Sequence, residues 1–236
     1  MSETILNTTD TAVVPSVETE KPTRRQRALQ SRRASERLEA YFQTIQQLQT
    51  QETLRAQIAE FGYDAAKIAH GAELLEAAQS AYLARQQALT ALDMAKHNAN
   101  AAYDTALLAF RNFRIVAQIA IDDPAVKTAL AAGQDIPYMR EEFITVARAV
   151  YNTVLAEPRF AEAMAEHGYP VTVIQNAVAL LDNLSAALVA RDAAHAETVR
   201  ALATRNDALV AIGEWIQRLN RIQLVAARAQ ADAART

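Results

Sequence analysis

From Asp64 to Asp123 the chain carries no proline and a single glycine, Gly71, and from Pro170 to about Ala233 it again runs on without a further proline. Alanine, which loses no side-chain entropy in a helix, fills much of both stretches, and an isolated internal glycine costs only about 1 kcal/mol. Helices of this length reach about 85 Å at 1.5 Å rise per residue. They dictate an all-α fold. The composition agrees: 51% of residues are hydrophobic but only 6% aromatic, and the whole chain holds 5 Gly and 6 Pro.

Breakers punctuate the rest at definite points. Residues 1–25, rich in Thr, Ser, Val and Glu with Pro15 and Pro22, show no amphipathic period and are expected to form a disordered tail. A first helix follows from about Gln26 to Gln49, then a short one from Glu52 to Glu60, stopped at Phe61-Gly62-Tyr63. Gly62 suits a left-handed C-terminal cap, and Asp64 can cap the long helix after it. Asp122-Asp123-Pro124 ends that helix, a short connecting helix is expected from Ala125 to Ala132, and a new one starts at Asp135-Ile136-Pro137. Glu157-Pro158 breaks it, Phe160 to Glu166 forms a short piece closed by His167-Gly168-Tyr169, and the last long helix follows.

The second half repeats the first. Superposing Gly62-Tyr63 on Gly168-Tyr169, an offset of 106, also pairs Ile58 with Met164, Ile68 with Ile174, Leu75 with Leu181, Arg85 with Arg191, Phe110 with Ile216 and Phe113 with Leu219. Each unit is then a hairpin with a broken first arm and one long second arm. The expected architecture is an elongated antiparallel, four-helix-bundle-like structure of two duplicated hairpins: 26–123 the first repeat, 124–136 a connecting helix and loop, 137–236 the second, with 26–236 as one domain.

A seven-residue stripe runs along each long arm: Ile68, Leu75, Tyr82, Leu89, Lys96, Tyr103 and Phe110 in one, Ile174, Leu181, Leu188, His195, Leu202, Leu209 and Ile216 in the other. It favours near-parallel, left-handed packing. Because the long arms outrun the first arms, the apolar stretches Ala106 to Ile121 and Leu209 to Val225 need cover, either from each other and the 124–133 helix or from another chain. Phe110, Phe113, Trp215, Ile216 and Leu219 are accordingly candidates for self-association.

Chemistry is scarcer. With 0 Cys there is no disulfide, thiol nucleophile or Cys-ligated zinc. None of the 4 His has Glu three positions before it, as a di-iron bundle requires. His195, in the stripe near Asp192 and Glu197, is either a boundary histidine or a pH-sensitive layer, and Lys96 either snorkels or marks a solvent-facing drift of the seam. Tyr63 and Tyr169 are either aromatic plugs or a paired aromatic site. No phosphate-binding glycine loop or catalytic triad is readable, so no catalytic, metal or cofactor residues are assigned and an enzyme is not expected.

The net charge of −3 conceals one basic segment, in which Lys21, Arg24, Arg25, Arg27, Arg32, Arg33 and Arg37 face the single acid Glu36. These residues either start a solvated helix or contact a polyanion, with an affinity that falls with salt. The acidic start lacks a secretory signal, and no apolar run approaches the ~18 residues that cross a bilayer. The sequence therefore points to a cytoplasmic, noncatalytic structural or protein-interaction (scaffold or assembly) protein, with itself or another helical protein as partner and no small-molecule substrate. The alternative is an adaptor holding nucleic acid or an anionic membrane through residues 21–37.

Overall fold

The computed structural model describes residues 24–122, 124–129, 135–233 and 235, with side chains from Arg33 onward except those of Ala125, Val126 and Ala129. Residues 1–23 of the expected tail, and residues 130–134 of the connecting region, lie outside the described residues; Arg24 and Arg25, expected in the tail, instead open the first helix. Seven helices make up the described fold: α1 (Arg24–Thr50), α2 (Glu52–Ala59), α3 (Ala65–Ala120), α4 (Pro124–Ala129), α5 (Arg140–Ala156), α6 (Pro158–Glu166) and α7 (Val171–Ala233).

The breaks have local causes. Gln51 and Glu157 leave the helical region for extended geometry, at φ −95° and −111°, which splits α1 from α2 and α5 from α6. Pro158, with no N–H to lose, opens α6. The ends of α2 and α6 are the same motif: Gly62 and Gly168 adopt φ of 79° and 81°. At the first, the Tyr63 N–H reaches back to the Ile58 carbonyl at 3.1 Å and the Gly62 N–H to Ala59 at 2.9 Å. At the second, the Tyr169 N–H bonds Met164 at 2.9 Å and the Gly168 N–H bonds Ala165 at 3.0 Å. This Schellman pattern satisfies the last carbonyls and turns the chain sharply into the long helix. Asp64 caps α3 as expected, accepting from the Lys67 N–H at 3.0 Å. One boundary moves: α5 begins at Arg140 rather than at Pro137, because Met139 is the extended N-terminal cap and Glu141 and Glu142 occupy the first turn, where the helix dipole favours acids.

The long helices α3 and α7 pack antiparallel, and the apolar side chains collect into two separate cores. One joins Leu38, Ile45 and Leu48 of α1, Ile58, Tyr63, the start of α3 at Ile68 and Leu75, and the far part of α7 from Leu209 to Leu219. The other joins the far part of α3 from Ala99 to Ala117 with Phe143, Val150 and Tyr151 of α5, Phe160 and Met164 of α6, and the start of α7 from Ile174 to Leu188. The far part of α7 is thus covered by α1 and α2, and the far part of α3 by α5 and α6. The sequence leads to the expectation that the two distal ends pack on each other or against another chain; antiparallel pairing instead carries them to opposite ends of the molecule, in different cores. The arms α1 and α5 belong to different cores, so four helices do not run together through one core.

Between the cores the seam is made by α3 and α7 alone, with Ala88 and Leu92 of α3 and Thr198 and Ala201 of α7 buried along it. Alanine permits close approach of the two backbones. Here the expected stripe drifts, so Leu89, Lys96 and His195 stand outward while Ala88, one position before Leu89, and Thr198, three positions after His195, are buried. At the ends a third helix covers the flank of the stripe; in the middle none does. Arg85 crosses the pair and donates to the Thr198 carbonyl at 2.6 Å, while the Thr198 hydroxyl is satisfied by the His195 carbonyl at 2.7 Å.

Candidate functional site

The self-association candidates lie in the interior. Phe110, Phe113, Trp215, Ile216 and Leu219 are all buried within the chain's own cores, where they serve internal packing. Phe110 and Phe113 pack edge-on against Tyr151 at 5.8 and 4.8 Å between ring centroids. The apolar side chains left outward near the distal ends are instead Leu108, Ile115 and Ile119 on α3 and Val210, Leu224 and Val225 on α7.

Of the basic segment, Lys21 and the side chains of Arg24, Arg25, Arg27 and Arg32 lie outside what is described, and Arg33 is exposed. Arg37 is engaged: its Nη2 donates to the Tyr41 hydroxyl at 3.0 Å, and both side chains lie over Gly213, where a Cβ would come within 3.2 Å of each. The missing side chain at Gly213 lets α1 dock on α7 through this pair.

His195 is exposed, which places it outside any buried pH-sensitive layer, and Lys96 is solvent-facing beside Asp93 at 3.4 Å. Tyr63 and Tyr169 fall in different cores and form no paired site. Each meets an aromatic ring from the far part of the other long helix, Tyr63 with Trp215 at 6.0 Å and Tyr169 with Phe113 at 6.3 Å. Among the described residues no three His, Asp or Glu converge as metal ligands would.

Where α3 starts beside the far part of α7, sequence reasoning overlooked a groove of about 490 Å³. Its apolar wall is Tyr63, Trp215 and Ile222, and its polar wall is Lys67, His70, Arg218 and Arg221. Helical spacing builds the polar wall, since Lys67 and His70, and Arg218 and Arg221, are each three apart and share a face. Lys67 donates to the Gly62 carbonyl and sits 5.4 Å from the Tyr63 ring centre, held at the mouth by the same cap that stops α2. Two acids flank the cations, Glu214 at 3.5 Å from Arg218 and Glu73 at 3.5 Å from His70, both pairs well exposed. Trp215 reaches this wall because Gly71 leaves room: a Cβ there would lie 2.4 to 2.6 Å from the indole. The readable signal was the chain's one tryptophan, followed three and six positions later by Arg218 and Arg221.

These features define an all-helical chain organised around one long antiparallel helix pair. No protein-family model, curated protein or solved structure matches it.

Proposed function

We propose that the chain is a noncatalytic scaffold or assembly protein, built by duplication as an elongated antiparallel bundle of two broken hairpins, that presents its long helical faces to a second copy or to another helical protein. The observation that carries this reading is the middle of the rod, where Leu83 and Met94 on α3 and Val189 and Val199 on α7 are each more than half exposed. Outward apolar side chains along a two-helix stretch suit a third or fourth helix laid against it. Duplication is supported by the recurrence, 106 positions apart, of the breaks at Gln51 and Glu157 and of the caps at Gly62 and Gly168. Light scattering across a concentration series tests the self-association form: the mass should rise to a defined oligomer, and L83Q/M94Q/V189Q should lower it. A monomer at every concentration, unchanged by those substitutions, sinks it.

A cytoplasmic location fits this role. One stretch of α7 reaches a mean hydropathy of 1.5, enough by length and composition for a bilayer. Only 28% of that stretch is buried in the chain's own core, Ile174, Leu181 and Leu184 among it, and Asp182 on its outer side accepts from Arg148 at 2.6 Å.

A second reading, an adaptor for nucleic acid or an anionic membrane, is favoured by the extent of α1. The helix begins at Arg24 with no acid in its first turn, which gathers the arginines from 24 to 37 on one element, and Arg33 is exposed. Duplex DNA and phosphatidylserine vesicles, each titrated across a salt series against the full chain and a version beginning at Glu39, decide it. Binding that falls with salt and disappears in the shorter chain is expected.

A further inference from the structure

We propose that the groove between Tyr63, Trp215 and Ile222 binds a small soluble phosphomonoester with an aromatic or apolar body, its phosphate held by Arg218, Arg221, Lys67 and His70. The volume of about 490 Å³ falls within the range of roughly 300–1,000 Å³ typical of ligand pockets. An apolar wall facing convergent cations matches an amphiphilic anion. Two arginines one helical turn apart offer planar forks of N–H donors, and Lys67 keeps two ammonium protons beyond the one it gives Gly62.

The repeat supplies a comparison internal to the molecule. At the other end of the rod, the positions equivalent to Lys67, His70, Arg218 and Arg221 are Val173, Asn176, Asn112 and Ile115. The same junction of helix start, cap and distal helix forms there with no basic residue at these four positions, so the four basic groups are not needed to build it. Nor is the indole: the contact of Gly71 with Trp215 corresponds to Ala177 and Ala109 at the other end. Removing a Cβ at Gly71 to admit a large ring beside four basic groups is a local departure from a joint that works with alanine. The flanking acids offset part of the charge, but Lys67, Arg218 and Arg221 outnumber Glu73 and Glu214, and both ion pairs are exposed and exchangeable.

Trp215 is the chain's only tryptophan, so its fluorescence reports on this wall directly. Phenyl phosphate, inorganic phosphate and phenol are titrated into the full-length protein. Phenyl phosphate should change the emission saturably, at a half-saturation about tenfold below that of inorganic phosphate, and phenol should give no saturable change in the same range. R218Q/R221Q, on exposed positions, should raise the phenyl phosphate half-saturation by about tenfold or more while the helical circular dichroism is unchanged. No saturable response to phenyl phosphate, an equal response to phenol, or undiminished binding by the double variant overturns the proposal.

Discussion

Tyr151 is fully buried between Phe110 and Phe113, and its hydroxyl has no hydrogen-bond partner among the described residues. An orphaned buried polar group costs about 1–3 kcal/mol. The residue 106 positions earlier, on α1, is Ile45, an apolar side chain that is likewise buried. Tyr151→Phe keeps the ring contacts and removes the penalty, and chemical denaturation should show a gain of about 1 kcal/mol. Burial, and secondarily the nearby Tyr169, also push the phenol pKa well above its ordinary 10.0. The unfolded chain then ionises first. The stability of the neutral form is intact below that value and is lost as pH rises above it toward the folded pKa, so the parent should weaken above about pH 10 more than Tyr151→Phe does. Parallel denaturation curves with equal slopes against pH in parent and variant would refute this. Gly71 gives a second residue-scale prediction. Gly71→Ala gains about 1 kcal/mol of helix propensity but drives a Cβ into the indole, and such overpacking costs about 1–3 kcal/mol. The melting temperature should therefore fall in the parent and rise in a Trp215→Leu background; the same sign in both would show that the indole is not the obstacle.

Among elements, the two cap motifs behave as one device used twice. Gly62 and Gly168 have nearly the same positive φ, and a Cβ at either meets no close atom, its nearest neighbour being Lys67 Nζ at 3.6 Å from that of Gly62. Backbone strain alone then sets the cost. Gly62→Ala and Gly168→Ala should each lose about 1–2 kcal/mol by thermal melting, and a variant with no loss would show that its stop is held by something other than the glycine. Both stops were legible because a glycine followed by an aromatic after a short amphipathic run has a local cause. The seam was legible only where three helices meet. A period-seven stripe predicts one continuous contact, yet whether Leu89, Lys96 or His195 faces inward depends on whether a third helix covers that flank, which no local spacing encodes. The start of α5 was misplaced for a related reason: Pro137 suits a first turn, but the acids at Glu141 and Glu142 set the register of the turn that forms. The groove stayed unread because its two walls come from residues about 150 positions apart, joined only by the antiparallel pairing.

At the scale of the molecule, the two broken short arms and the two long helices were visible in the sequence while the way they interlock was not. Two long arms paired antiparallel exchange their ends, so that α1 and α2 close over the far part of α7, and α5 and α6 over the far part of α3. This gives a rod with two broad cores and a narrow waist, and shape and dynamics follow from it. α7 alone, with 63 residues, spans about 95 Å, which sets a radius of gyration of roughly 27 Å or more, against about 18 Å for a compact chain of this length. Small-angle scattering on the monomeric fraction should give the larger value; the smaller one would mean that the long helices fold back on themselves. The waist around Ala88, Leu92, Thr198 and Ala201 buries few large side chains and has no third helix over it. Its amides should exchange with deuterium sooner than those of Leu75, Ile212, Phe113 or Leu184 in the two cores, since opening there exposes least apolar surface. Binding of a helical partner along Leu83, Met94, Val189 and Val199 should slow exchange at the waist and leave the cores unchanged. Protection at the waist that already equals that of the cores in the isolated monomer would show that the two-helix stretch needs no partner, and the scaffold reading would lose its main support.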